Sequence, residues 1–145
     1  MSVTTAMTTS FKQELLQGLH DLDGHTLKLA LIKSSESGTY GAASTNYSDI
    51  TGNSDEASGT GYSSGGATLG SVAITTSGTT AFVDFADVSF SNSTISASGA
   101  MIYNSSASNR AIAVISFGGT VASTAGTFTV TMPTADSSNA IIRLA

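Results

Sequence analysis

The chain contains no cysteine and no tryptophan, and it has one proline in 145 residues. The absence of cysteine excludes disulfide bonds, a thiolate nucleophile and cysteine-ligated metal sites. Charged residues make up only 10% of the chain, against about a quarter of an average globular protein. We therefore expect a surface made mostly of hydroxyl groups and backbone, because 46 residues are Ser or Thr.

Positive charge is also scarce. The chain has five Lys and Arg residues, and the segment from Ser34 to Asn109 holds six acids and no base. Binding to the phosphates of nucleic acid needs clustered Lys and Arg side chains, so we do not expect nucleic acid to be a partner. No apolar run approaches the roughly 18 residues of a membrane span. The first residues, "MSVTTAMTTS", lack the basic and apolar regions of a signal peptide, which predicts synthesis in the cytoplasm.

The composition predicts a folded protein. It is 40% hydrophobic with a net charge of -5, whereas disordered chains combine low hydrophobicity with high net charge. A length of 145 residues suits one domain. We expect residues 1–9 to form a free arm that orders only against another chain, and residues 10–145 to form a single domain.

A short helix is predicted near the N-terminus. Ser10 and Gln13 resemble a capping box, and an apolar helix face follows, formed by Phe11, Leu15, Leu16 and Leu19. The stretch "GLHDLDGH" (residues 18–25), which we call the corner, ends this helix. The next stretch, "HTLKLALIK", alternates with the period of a strand. The corner is therefore predicted to join a helix to a strand.

The corner also holds both histidines of the chain and two of its ten carboxylates, which are possible ligands for zinc or nickel. The spacing does not favour a metal site, because a helix end and a turn separate His20 from His25 and no third histidine exists. "DLDG" resembles part of a calcium loop, but no acid follows at the closing position. We predict a structural turn whose polar groups pair with nearby backbone, and neither a metal nor a cofactor.

The rest of the chain has the pattern of an all-β protein. Residues 34–66 are rich in Gly, Ser, Asn and Asp and are predicted to form a long functional loop with Tyr40, Tyr47 and Tyr62 as aromatic anchors. Short β-rich runs follow, at roughly 67–76, 80–90, 93–104, 109–118, 126–132 and 139–144. Their spacing is typical of an all-β sandwich or barrel.

No arrangement of residues predicts catalysis. "SGTGYSSGG" (residues 58–66) contains neither a nucleophile elbow nor a phosphate-binding loop. The acidic pairs Asp55 with Glu56 and Asp84 with Asp87 resemble the paired carboxylates of glycosidases, but no aromatic platform for a sugar accompanies them. We therefore expect that the protein is not an enzyme.

Two kinds of function fit these observations. A structural assembly protein accounts for the low charge, the arm and the long loops, since permanent interfaces are depleted in charge. A carbohydrate-binding or ligand-binding β-sandwich module is the alternative, in which Tyr40, Tyr47 and Tyr62 form a recognition rim.

Four phrases of the sequence resemble a group of small virion proteins of tailed bacteriophages, including phages of cyanobacteria and other aquatic hosts. They are "FKQELLQGLHDLDGHTLKLALIKSS" (11–35), "DEASGTGYSSGGATL" (55–69), "FVDFADVSFSNSTISASGAMIYN" (82–104) and "IAVISFGG" (112–119). Within that group the resemblance favours a capsid decoration protein, also called a cement protein. A tail, neck or fibre-associated protein is the main alternative.

The resemblance implies a jelly-roll-like β-sandwich that forms a homotrimer on the outside of the capsid. Its partner would be the major capsid protein, whose neighbouring subunits it would bridge and stabilise. In that setting we expect the arm, including Val3, and the helix residues Phe11, Leu15 and Leu19 to contact another chain. Arg110 is expected to pair with an acidic neighbour. The alternative for the helix is that it packs on its own domain and closes one end of the sandwich.

Overall fold

The computed structural model describes residues 2–145 and is mainly β. The helices are α1 (Thr9–Leu16) and α2 (Ser48–Gly52). The strands are β1 (Ser2–Val3), β2 (Ala6–Met7), β3 (Leu27–Lys33), β4 (Thr39–Tyr40), β5 (Ala67–Thr68), β6 (Ala73–Ser77), β7 (Thr80–Asp84), β8 (Val88–Asn104), β9 (Arg110–Val130) and β10 (Ile142–Leu144). The prediction of an all-β class with one short N-terminal helix is confirmed, and α2 adds a second helix of five residues.

The strands form three sheets. The largest has the order β2-β9-β8-β3-β5, with antiparallel pairing throughout. A second antiparallel sheet has the order β10-β7-β6. Strands β1 and β4 form a parallel pair. The long hairpin of β8 and β9 is the centre of the larger sheet.

Strand β3 shows how the larger sheet is buried on both faces. Leu27, Leu29 and Leu31 belong to the main core cluster, which also contains Val83 and Ile142 from the three-stranded sheet. Ala30 and Ile32, which alternate with these leucines, belong to a second core cluster. Successive side chains of a strand point to opposite faces, so the two clusters lie on opposite sides of the sheet.

The second cluster is formed with residues 34–66, which we call the cover segment. Tyr40 and Ile50 from this segment pack with Ala30, Ile32 and Met101 of the larger sheet. Tyr40 is 1% exposed and Ile50 is fully buried. The region predicted as a long functional loop is thus a covering layer for one face of the sheet.

The N-terminal segment is not a free arm, which corrects the prediction for residues 1–9 in the part of it that the structure describes. Val3 pairs with Tyr40, and Ala6 pairs with Val114 on β9. The helix cap also differs from the prediction, because the side chain of Thr8, not that of Ser10, accepts the N–H of Phe11 at 3.1 Å. These pairings satisfy backbone groups that a detached arm would leave to solvent.

Strand β9 is continuous across residues 119–125, where the sequence predicts a break. Four β9 residues, Phe117 to Thr120, lie against the single β8 residue Ser98 between the pairs Gly99 with Ser116 and Ala97 with Val121. A further extra residue lies on β8 between Phe90 and Ser93. Such bulges shift the side-chain alternation without ending the strand, which accounts for the imperfect alternation of the sequence.

Candidate assembly surface

A groove lies between α1 with its corner and the three-stranded sheet, and we call it the α1 groove. Its volume is about 220 Å³. The groove is lined by Leu15, His20, Asp21, Leu22, Ile74, Ala81, Phe82, Val83, Ile142 and Leu144. Most of these side chains are apolar, so the groove suits an apolar partner better than a charged one.

Large apolar side chains are exposed around this groove. Ile74 and Leu144, which line it, are each 49% exposed. Leu16 at the end of α1, next to Leu15, is 92% exposed, and Leu19, which lies in the corner and not in the helix as predicted, is 37% exposed. Exposed apolar residues are unremarkable one by one, but their concentration beside a groove is typical of an interaction surface.

The position of α1 explains why these leucines are exposed. Phe11 is fully buried in the main core cluster, and Leu15, one turn later, packs against that cluster. Residues four apart lie on the same face of a helix. Leu16 follows Leu15 directly and is therefore turned away from the core.

The corner is held by a polar network. His20 Nε2 lies 3.0 Å from Glu14 Oε1, and Arg110 Nε lies 3.2 Å from Glu14 Oε2. The fully buried Asn104 places its Nδ2 3.0 Å from His20 Nδ1 and 2.9 Å from His25 Nδ1. This network ties α1 to the ends of β8 and β9.

The prediction of a helix-to-strand corner is confirmed, since residues 18–25 lie between α1 and β3. Its polar groups pair with nearby backbone, as expected: Asp21 Oδ1 accepts the N–H of Gly24 at 3.1 Å, and His25 Nδ1 accepts the N–H of Asp21 at 3.3 Å. Within residues 2–145, no three His, Cys, Asp or Glu side chains are grouped so that they could hold a metal ion.

Two adjacent carboxylates hold the cover segment in place, and the first of them is Asp55. Its fully buried carboxylate accepts the hydroxyl of Tyr40 at 2.6 Å and the N–H groups of Ser37 and Gly38 at 2.8 to 3.0 Å. Lys33 Nζ lies 3.4 Å away. Burial alone would raise the pKa of Asp55, but these hydrogen bonds outweigh it and hold the pKa at about 2.

The second carboxylate is Glu56. Its Oε1 accepts the hydroxyl of Tyr62 at 2.7 Å and the N–H of Gly65 at 2.6 Å, and its Oε2 accepts the hydroxyl of Tyr47 at 2.6 Å. Burial, followed by the hydrogen bond to Glu56, raises the pKa of Tyr47 and of Tyr62. Asp55 and Glu56 are thus engaged by donors of their own chain and serve as structural clamps in this fold.

The three loop tyrosines do not form an exposed rim, which corrects the prediction. Tyr40 is buried, and burial with the bond to Asp55 raises its pKa to about 12. The ring of Tyr47 stacks on Tyr103 with centroids 4.6 Å apart. Tyr62 packs against the main core, and its hydroxyl also accepts the N–H of Leu31 at 3.0 Å.

Of the other residues predicted to contact a partner, some are buried or paired within the chain and some lie at the surface. Phe11 has no exposed surface and, within this fold, offers none to another chain. The expectation that the helix packs on its own domain is therefore confirmed for Phe11. Val3 is half-buried against the second core cluster, and Arg110 pairs with Glu14 of its own chain. Leu15 lines the α1 groove and Leu19 is exposed beside it.

Sequence reasoning missed the far wall of the groove. Ile74 and Leu144 lie in the predicted runs 67–76 and 139–144, but the pattern within each run does not show that these two strands flank β7. The sequence predicted Leu16 as part of an apolar helix face. It did not predict that Leu16 points to solvent, because this follows from the burial of Phe11.

A second depression lies on β9 and has a volume of about 440 Å³. Phe117, Val121 and Phe128 contribute to its lining, together with Thr5 from the N-terminal segment. Its lining carries no charged side chain. The surface of the molecule therefore offers a second weakly polar area, separate from the α1 groove.

Comparisons with known proteins give no relative: no protein-family model, no curated protein and no solved structure matches the chain. The helices within residues 2–145 are all too short or too polar to cross a membrane. A function for this chain must be argued from its residues and surfaces.

Proposed function

We propose that this chain is a non-enzymatic structural protein of a tailed-phage virion, and that it acts as a capsid decoration protein. The observation that carries the proposal is the set of exposed apolar side chains around the α1 groove. In the same chain, the carboxylates of Asp55 and Glu56 are occupied by donors of their own chain. Such a surface fits a permanent protein partner, since the cores of these interfaces are apolar and poor in charge.

The proposed partner is the major capsid protein, and the proposed location is the capsid exterior. Each copy would bridge neighbouring capsid subunits and bind best to their mature arrangement. Binding to one state stabilises it by mass action, so no chemical step is needed. The homotrimer and the jelly-roll-like sandwich implied by the sequence resemblance belong to this proposal. What supports a sandwich is that one core cluster joins residues of the five-stranded and three-stranded sheets.

A tail, neck or fibre-associated role is the main alternative, because the same apolar surface would serve there. The carbohydrate-binding module loses its main support, since the hydroxyls of Tyr40, Tyr47 and Tyr62 are bonded to Asp55 and Glu56. A ligand module would need a different aromatic surface.

Electron microscopy of the intact particle, with the chain located in the map, tests the proposal. We expect copies distributed over the whole shell at the junctions between capsid subunits. Copies confined to a single vertex would show that the chain has a tail or neck role and is not a decoration protein. Absence of the chain from the virion would refute any structural role.

The salt dependence of binding is a second check. Contacts between apolar groups are not screened by ions, so we expect the chain to remain on the particle through moderate increases in salt concentration. Release by moderate salt would show that charge pairs, not the α1 groove, hold the complex.

A further inference from the structure

Asn104 lies between the two histidines of the chain at the junction of α1, β3 and β8. Its side-chain amide is fully buried. The backbone N–H of Ser106 donates to Asn104 Oδ1 at 3.0 Å, which fixes the orientation of the amide. The Nδ2 group therefore faces His20 Nδ1 at 3.0 Å and His25 Nδ1 at 2.9 Å.

This geometry selects one protonation state of both rings. An amide NH₂ group has two hydrogens to donate and accepts nothing, so each Nδ1 must be an acceptor without a proton. The N–H of Asp21 also donates to His25 Nδ1, at 3.3 Å. His20 then carries its proton on Nε2 and donates it to Glu14 Oε1 at 3.0 Å. The closed corner requires two neutral imidazoles.

We propose that the corner is a pH-sensitive switch, closed when both imidazoles are neutral and opened when His20 or His25 gains a proton at Nδ1. An imidazolium is a donor at both nitrogens, so a protonated Nδ1 would point its hydrogen at the NH₂ group of Asn104. Two donors face each other and the buried bond is lost. Imidazole is the side chain whose ordinary titration falls between pH 5 and 8.

The surrounding charges do not prevent this opening. Glu14, held by Arg110 at 3.2 Å, accepts from His20 Nε2 in the neutral and in the protonated ring. Glu14 therefore keeps His20 bonded to α1 when the hydrogen bond between His20 and Asn104 is lost. For His25, both groups that face Nδ1 are donors, namely Asn104 Nδ2 and the N–H of Asp21.

On the side of the corner that faces the three-stranded sheet, the one charged residue of the groove is Asp21, whose Oδ1 accepts the N–H of Gly24 at 3.1 Å. The rest of that side is mainly apolar. The three-stranded sheet contributes Ile74, Ala81, Phe82, Val83, Ile142 and Leu144 to the groove that His20, Asp21 and Leu22 also line. These side chains offer no acceptor to an imidazolium. Opening the corner would move one wall of the α1 groove, so acidification would alter that surface. The switch itself rests on the hydrogen bonds of the corner and not on the proposed virion role.

Nuclear magnetic resonance of the unmodified protein tests the switch directly. Nitrogen shifts of the imidazoles at pH 8 should show the proton on Nε2 in both rings. The protection of the amide hydrogens of residues 18–26 against exchange, relative to the unfolded chain, should fall by up to about tenfold per pH unit as the pH is lowered from 8 to 5. Protection of β8 and β9 away from the corner should not follow the same course.

The variant Asn104→Asp should reverse the pH dependence. A carboxylate accepts from an imidazolium, so acidification toward pH 5 should raise the protection of residues 18–26 in this variant. Asn92→Asp is the matched control, because Asn92 is an exposed residue of the same strand and gains the same charge. If Asn104→Asp does not fold, the measurements on the unmodified chain decide. A proton on Nδ1 at pH 8, or unchanged protection of the corner from pH 8 to pH 5, would overturn the switch.

Discussion

The two faces of the five-stranded sheet are covered by segments of opposite character. On one face lies most of the cover segment, which is mostly irregular and is held by the carboxylates of Asp55 and Glu56. Ala57 and Tyr62 of the same segment reach the main core cluster on the other face. On the other face lie α1 and the three-stranded sheet, which are regular elements joined by apolar contacts. The irregular cover directs its tyrosines inward, whereas the regular elements leave large apolar side chains exposed around the α1 groove.

This difference shows that a segment without regular secondary structure can still bury its apolar side chains and pair its polar groups within its own chain. A buried carboxylate collects N–H and O–H donors from a loop and orders it as firmly as a strand pairing would, because bonds to a charged acceptor are strong. The cover segment therefore leaves few groups for a partner. The α1 groove keeps an exposed apolar surface, and the proposed contact with another chain would lie on this side of the molecule.

The largest effect on stability is expected from Asp55→Asn, which removes one of the two carboxylates that hold the cover segment. In this variant an NH₂ group, which donates, replaces one carboxylate oxygen, which accepts. The neighbours of that oxygen are all donors, namely the hydroxyl of Tyr40 and the N–H groups of Ser37 and Gly38. Leaving buried donors without their charged partner should lower the free energy of unfolding by about 3 kcal/mol. Urea unfolding of the purified chain measures this loss.

The matched control for that variant is Asp84→Asn, which removes the same charge from an exposed position on β7. We expect its free energy of unfolding to change by less than about 0.5 kcal/mol. Equal losses in both variants would mean that net charge, and not the clamp at Asp55, sets the stability of the cover segment.

A second effect should follow from acid. The pKa of Asp55 is lowered to about 2 in the folded chain and returns to about 3.9 on unfolding. The folded state therefore binds the proton less well, and the contribution of Asp55 is complete above about pH 4 and is lost as the pH falls toward 2. It amounts to about 2 kcal/mol.

Unfolding free energies measured at pH 5, 4, 3 and 2 give this loss. In Asp55→Asn the part of the acid slope due to this residue should vanish, while the slopes due to other acids remain. An unchanged slope in the variant would show that the acid sensitivity arises outside the cover segment.

Much of the regular part of this fold could be predicted from local pattern. The alternation of Leu27, Leu29 and Leu31 predicted β3 because the side chains on any one face of a strand recur every two residues. The break predicted in β9 was wrong because Gly118 and Gly119 resemble a turn, whereas the structure accommodates them as an irregularity between paired segments. Local pattern does not distinguish these two uses of glycine.

The polar clamps and the arm could not be predicted, because their partners are remote in sequence. Tyr40 meets Asp55 across 15 residues, and Met7 pairs with Ala113 on β9. A tyrosine in a Gly- and Ser-rich stretch looks exposed until its hydroxyl has a carboxylate to bind. The same limit hid the groove, whose walls come from the two ends of the chain and from the β6–β7 hairpin.

The smallest effect on stability, and the one that sharpens the comparison most, is expected from Leu16→Gln. Leu16 is 92% exposed, so the free energy of unfolding should change by less than about 0.5 kcal/mol. Occupancy of the particle by the variant should nevertheless fall, because Leu16 is an almost fully exposed apolar side chain that directly follows Leu15 of the α1 groove. Val121→Gln is the control, since Val121 is 40% exposed and lies on β9 beside the other depression. Mixing each purified variant with particles stripped of the chain, followed by sedimentation, measures the occupancy. If only Val121→Gln lowers it, the contact surface lies on β9 and the assignment to the α1 groove is wrong.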